Sequence, residues 1–173
     1  MTIAIRRAVS ADALVVEEML LEASRWVDAL GVTMWSEGEL VRSEIERDVN
    51  AGMYWIADVD GRPAGAIRFQ LEDRLFWPDH DDDDSAFVHR LVVRRAFKGQ
   101  GVSTALLEWA VDHARAAGRQ WLRLDCDAER TKLRALYERF GFCLHSYRQV
   151  TSYYVARYEY LLEGENVRDR RDG

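Results

Sequence analysis

Apolar and polar residues change period several times along the chain, and each change marks an element. Ile3 to Val9, "IAIRRAV", alternates with a period of two and predicts a half-buried strand. Ser10 and Asp12 then offer N-caps to an amphipathic helix carrying Leu14, Met19, Leu20 and Trp26. A second helix is predicted over Glu37 to Asn50, with Leu40, Val41 and Ile45 as its stripe. "MYWIADVDGRPAGAIRFQL" reads as a hairpin: a strand to Val59, a turn containing Asp60 and Gly61, and a returning strand to Leu71. A polar connection from Glu72 to Ala86 follows and contains the run "PDHDDDD".

Phe87 to Val93, "FVHRLVV", is nearly all apolar, which suits a central strand covered on both faces. From about Val102 to Ala117 the spacing of Val102, Ala105, Leu106, Trp109, Ala110 and His113 is helical, and Gly118 supplies the stop. "WLRLDC" alternates as a strand. "AERTKLRALYERF" gives a helix with Leu133, Leu136, Tyr137 and Phe140 on one stripe, ended by Gly141. "GFCLHSYRQ" and "YYVARYEYLL" read as two last strands. The order β-α-α-β-β-β-α-β-α-β-β predicts an α/β (α+β) fold, a mixed sheet with helices on both faces. One domain is expected over residues 1–163, followed by a frayed tail, 164–173.

Composition narrows the classes. At 173 residues the chain suits one domain with a sizeable core. "MTIAIRRAVSADAL" holds no apolar run of signal-peptide length, and no segment approaches a membrane span. Cys126 and Cys143 lie in apolar segments and read as buried, reduced thiols, so a cytoplasmic protein is expected. A net charge of −6 argues against a nucleic-acid binder. No metal is expected, because the aspartate run lacks the glycine and terminal glutamate of a calcium loop.

The chemistry concentrates in "VRRAFKGQGVSTALLEWA", Val93 to Ala110, where two glycines separate a strand from a helix. A helix N-terminus presents unpaired N–H groups and partial positive charge, and glycines let the backbone approach a phosphate. A triphosphate loop needs Lys and Ser or Thr after its last glycine, but Val102 follows Gly101. A dinucleotide fingerprint needs a third glycine, but that position is Thr104. Lys98-Gly99-Gln100-Gly101-Val102-Ser103 instead resembles the pyrophosphate signature of the GNAT superfamily of acyl-CoA-dependent N-acyltransferases. Lys98 stands where the family has Gln or Arg, and Ser103 stands for its last small residue. "HRLVVRRAF" is similar to the family's central strand, and "LYERFGF" to its tyrosine helix with the Gly-Phe strand start.

The resemblance implies a mostly antiparallel six- to seven-stranded sheet with a central splayed strand pair. It implies transfer of an acetyl group from acetyl-CoA to a primary amine by direct attack. Cosubstrate contacts would come from Leu91, Val92 and Val93, from Lys98 to Thr104, and from Arg130, which replaces a frequent Asn. The backbone N–H near Leu91 would stabilise the oxyanion, and Tyr137 would protonate the leaving thiolate. A phenol of pKa ~10 keeps its proton at neutral pH. His89, two residues before Leu91, stands as base or as structural histidine. Alternation would put it on the face of Phe87, Leu91 and Val93. Arg94 and Arg95 either meet the cosubstrate's phosphates or form a solvated basic turn.

On the acceptor side, Trp35, Trp77 and the aspartates around Asp81 would form an aromatic-lined, negative mouth for a cationic amine. A solvated charge run is the competing reading. A non-catalytic acyl-CoA sensor on the same fold is the alternative function, and "YYVARYEYLL" leaves a homodimer open.

Overall fold

The computed structural model describes residues 1–32, 35, 37–80 and 82–162. Asp81 and the predicted tail lie outside the described residues. The elements follow in the predicted order: β1 (Ile3–Arg7), α1 (Ala13–Ala29), α2 (Arg42–Asn50), β2 (Tyr54–Val59), β3 (Arg62–Gln70), β4 (Ser85–Val93), α3 (Val102–Ala116), β5 (Trp121–Asp127), α4 (Thr131–Phe140), β6 (Cys143–Val150) and β7 (Tyr153–Leu161). The strands form one seven-stranded sheet in the order β1-β2-β3-β4-β5-β7-β6. Strands β1/β2, β2/β3, β5/β7 and β6/β7 pair antiparallel. Strands β4 and β5 pair parallel, Ser85 to Phe87 against Trp121 to Arg123. The sheet is therefore mixed and mostly antiparallel, and no described helix is long and apolar enough to cross a membrane.

The chain divides into two compact units, Met1–Gln70 with Val88–Trp109, and Leu71–Phe87 with the chain from Ala110 on. In the first unit Val16, Met19 and Leu20 of α1 and Ile45 and Val49 of α2 bury against Tyr54, Ile56, Ala66 and Val92 of the strands. The β2–β3 turn places both Asp60 (φ 48°) and Gly61 (φ 77°) in the left-handed region, which matches the twist of a tight hairpin. Arg6 of β1 donates to both Asp12 oxygens (2.8 and 3.0 Å) and to Asp58 Oδ2 (2.7 Å), tying β1, the start of α1 and β2 together. Gly65 is required by crowding: a Cβ there would sit 2.7 Å from the Val92 carbonyl oxygen and 2.9 Å from Val102 Cγ1.

In the second unit Leu122, Leu124 and Tyr158 bury from β5 and β7, and Trp77 and Phe87 join them. Strand β6 ends the sheet, and its residues Cys143 to His145 are exposed.

Several expectations shift. Leu14 is 50% exposed and Trp26 37%, because the buried face of α1 runs Ala13, Val16, Met19, Leu20, Ser24 and Val27. Ser24 hid that stripe from a hydropathy reading. It is buried because its Oγ donates to the Trp35 carbonyl at 2.6 Å. Helix α2 begins at Arg42 rather than Glu37; a 3₁₀ turn, Glu37–Glu39, precedes it, and Val41 sits extended (ψ 121°) at its N-cap. Cys143 is exposed, against the expectation of burial, because it opens an edge strand. Both cysteines are free.

Candidate active site

The first unit carries the glycine loop. A 3₁₀ turn, Arg95–Phe97, leads from β4 into Lys98, and α3 starts at Val102. Gly99 (φ 77°) and Gly101 (φ 79°) both occupy the left-handed region, where a side chain costs about 1 kcal/mol or more. Conformation, not crowding, selects glycine here: a Cβ at either position would meet nothing within 4 Å. The backbone is thus open on that side. The helical bond from Ala105 N to Gly101 O (2.9 Å) leaves the N–H groups of Val102, Ser103 and Thr104 ahead of any intrahelical acceptor. Val102 is buried, Ser103 half-buried, Thr104 and Lys98 exposed. Gln100 is turned back on the loop, its Nε2 donating to Ala96 O at 3.4 Å.

The flanking arginines have another use. Arg94 pairs with Glu18 (3.4 Å) and Glu22 (3.5 Å), and the Arg95 guanidinium lies 3.9 Å from the Trp26 ring centroid. Arg95 N also donates to Glu22 Oε1 at 2.9 Å. These contacts fasten the loop to α1 and leave backbone amides and Lys98 as the groups that could meet an anion there.

Strand β4 holds a left-handed residue, Arg90 (φ 51°), in the manner of a β-bulge. Alternation would have put His89 on one face with Leu91 and Val93, but Arg90 interrupts that period between them. His89, Leu91 and Val93 are half-buried, and Val92 points into the core. Arg90 donates to the Tyr54 hydroxyl at 3.1 Å and lies 5.8 Å from the Trp35 ring centroid. Trp35 itself is partly buried against the core.

The second unit carries Tyr137 on α4, only 6% exposed, with ring centroids 6.0 Å from Phe142 and 6.2 Å from Tyr158. Burial raises its phenol well above the ordinary value of 10; the nearby Cys126 adds to this, while Arg130 opposes it. The Cys126 thiol is itself pushed up to about 12, first by burial and then by Asp125. Arg130 sits at the N-cap of α4 and donates its backbone N–H to Asp127 O at 3.1 Å. Helix α4 is pinned by Arg134 Nε donating to the Tyr158 hydroxyl (2.8 Å), which in turn donates to Glu138 Oε1 (2.7 Å). Arg134 and Glu138, a charged pair at helical spacing, gave no sequence signal for this brace.

Trp77 departs most from expectation. It is 1% exposed, and the ring faces guanidinium groups of its own chain, Arg157 at 4.5 Å and Arg123 at 5.3 Å. Both arginines are buried on strands. Arg157 grips Asp79 through two bonds (2.6 and 3.0 Å), and Arg123 reaches Asp84 (3.3 Å) and Ser85. The run "PDHDDDD" is therefore partly internal: two of its acids neutralise two buried cations. The only sequence trace was an arginine on an inward position of each strand.

The acetyltransferase (GNAT) family profile matches residues 20–142. The chain is 28% identical over 142 residues to YesJ of Bacillus subtilis, an uncharacterized N-acetyltransferase, spanning 78% of each protein. A GNAT-family acetyltransferase structure from Listeria monocytogenes aligns at 25% identity with a TM-score of 0.75, over 91% of this chain and 95% of that one. At 16% identity, the fold of yncA from Salmonella typhimurium, a putative acetyltransferase solved with acetyl-CoA, matches with a TM-score of 0.72 over 98% and 99%. With the glycine loop, the strand before it and the tyrosine helix all inside or bordering the matched segment, this chain belongs to the acetyltransferase (GNAT) family.

Proposed function

We propose that the enzyme moves the acetyl group of acetyl-CoA onto a primary amine by direct attack. The observation that carries this reading is the glycine loop, with two left-handed glycines, open space beside them and the first-turn amides of α3. Such a nest suits the pyrophosphate of the cosubstrate, with Lys98, Gly99, Gln100, Gly101, Val102, Ser103 and Thr104 as its frame. The backbone of Leu91, Val92 and Val93 receives the pantetheine arm as an added strand, and Arg130 assists it.

The amine arrives mostly as ammonium, since alkylamines titrate near ~10. His89 takes its proton, directly or through water. The free nitrogen attacks the thioester carbonyl carbon, and the Leu91 N–H steadies the oxyanion. The C–S bond then breaks, Tyr137 gives its proton to the departing thiolate, and the extra proton left on the new amide nitrogen returns through water to the phenolate. Tyr137 is protonated at neutral pH, as that role needs, while burial makes its phenol a weaker acid than an ordinary one. On the acceptor side, Trp35 and Asp81 contact a small cationic amine, while Trp77 organises the connection that carries Asp81. The test pairs calorimetry with turnover. Acetyl-CoA should bind the wild type and lose about tenfold or more in affinity on Gly101→Val, as a left-handed glycine is replaced by a β-branched residue. A panel of polyamines, arylalkylamines, aminoglycosides and peptides should release free thiol with at least one acceptor. Equal affinity in the variant, or silence across the panel, would sink the reading.

A further inference from the structure

Among the described residues of the first unit, every half-buried arginine but one has a carboxylate to answer it. Arg6 meets Asp12 and Asp58 (2.8 and 2.7 Å), Arg68 lies 3.2 Å from Asp48, and Arg94 meets Glu18 and Glu22 (3.4 and 3.5 Å). Arg90 is half-buried like them. Its partners are instead a phenol and an indole: Nη1 donates to the Tyr54 hydroxyl at 3.1 Å, and the guanidinium lies 5.8 Å from the Trp35 ring centroid. No described carboxylate stands within ion-pair distance of it.

Neither partner supplies negative charge. Tyr54 is wholly buried, and burial is the largest influence on its phenol, raising it above the ordinary value of 10 against the pull of Arg90 and Arg68. The hydroxyl therefore stays neutral at physiological pH. Trp35 offers only a ring face, a weaker partner for a cation than a carboxylate. A half-buried guanidinium has given up part of its hydration, and it holds five N–H donors in a planar fork. One of them reaches Tyr54. The remaining edge suits a carboxylate, which a guanidinium binds through two parallel bonds.

Position says whose carboxylate it is. Arg90 falls between His89 and Leu91, the proposed base and oxyanion donor, and neighbouring Cα atoms are about 3.8 Å apart. Its left-handed φ of 51° is strained for a residue with a side chain, and such strain gathers at ligand clamps. The cosubstrate's phosphates have their own amides, further on at residues 98–104, whereas Trp35 belongs to the proposed acceptor side. We propose that Arg90 determines acceptor specificity and that the acceptor is an amino acid, its carboxylate on the Arg90 guanidinium and its amine towards His89, an assignment that rests on the proposed transfer to a primary amine and narrows it to a substrate class. The net charge of −6 still favours a cation overall, so a basic amino acid such as lysine meets both demands.

The test compares amino acids with the amines that remain when the carboxylate is removed: lysine with cadaverine, and tyrosine with tyramine. Wild type should prefer the amino acid of at least one pair by about tenfold or more in kcat/KM, chiefly through KM, and Arg90→Met should bring that ratio to about one. Arg90→Lys keeps the charge without the planar fork and should fall between. Equal kcat/KM within both pairs in the wild type, or a preference that survives in Arg90→Met, overturns the proposal while leaving amine acetylation intact. Where Arg90→Met fails to fold because Tyr54 loses its partner, the wild-type ratios and Arg90→Lys decide. If nothing in the panel releases thiol, the proposed function fails, and calorimetry of the CoA-bound protein still decides the subsite. There lysine should bind about tenfold or more tighter than cadaverine in the wild type only, and equal binding overturns the proposal. A last arm supplies succinyl-CoA with cadaverine. A gain over acetyl-CoA that disappears in Arg90→Met would put the carboxylate on the acyl group and overturn the acceptor assignment.

Discussion

Burial keeps the Tyr137 phenol protonated at any pH at which the enzyme would work. A phenol acting as acid loses activity as pH rises through its pKa, and here that limb moves above 10. We expect kcat/KM to show no fall between pH 7 and 10 that disappears in Tyr137→Phe. We also expect Tyr137→Phe to lower kcat by about 100-fold or more while leaving the acetyl-CoA Kd unchanged. A variant with full rate would remove Tyr137 from the chemistry. At this scale the sequence was informative about residue types and uninformative about conformation. "KGQGVS" announced two glycines at a helix start, and both are left-handed. Nothing in "HRLVV" announced that Arg90 would adopt φ 51° and break the alternation on which the placement of His89 relied.

Among elements, the order of strands and helices was legible throughout because each carries its own period. What hydropathy did not record is where polar residues take inward positions: Ser24 on α1, Arg123 on β5 and Arg157 on β7. Their partners lie far along the chain, and no local pattern records them. Two predictions belong here. Gly65→Ala forces a Cβ against the Val92 carbonyl and Val102, so it should cost about 1–3 kcal/mol in urea unfolding. Because Val92 belongs to the proposed pantetheine strand, the variant should also raise the acetyl-CoA Kd; an unperturbed Kd would show that β4 absorbs the strain elsewhere. Arg157→Met leaves Asp79 without its two-bond partner. As Asp79 is 44% exposed, the cost should be about 2 kcal/mol rather than the larger penalty of a fully buried pair. Thermal unfolding measures it, and an unchanged Tm would mean that water replaces the guanidinium at no cost.

For the whole molecule, the net charge of −6 makes a long-range expectation. A cationic acceptor should be drawn in and an anionic one repelled, so kcat/KM for a polyamine should fall as salt rises from low to physiological strength. A salt-independent value would leave acceptor choice to short-range contacts alone. Family membership was readable from three motifs in order, whereas acceptor chemistry was not, because two acids of the aspartate run that suggested it, Asp79 and Asp84, are taken up by ion pairs with Arg157 and Arg123.

Cys143 gives this molecule a ready reporter. It is exposed at the start of β6, two residues before His145, while Cys126 is buried with its thiol pushed up to about 12. Since these are the chain's two cysteines, a maleimide fluorophore at neutral pH should attach once to the folded enzyme and twice after denaturation, as mass spectrometry would count. The dye would then report the state of the sheet edge at β6 without any engineered thiol.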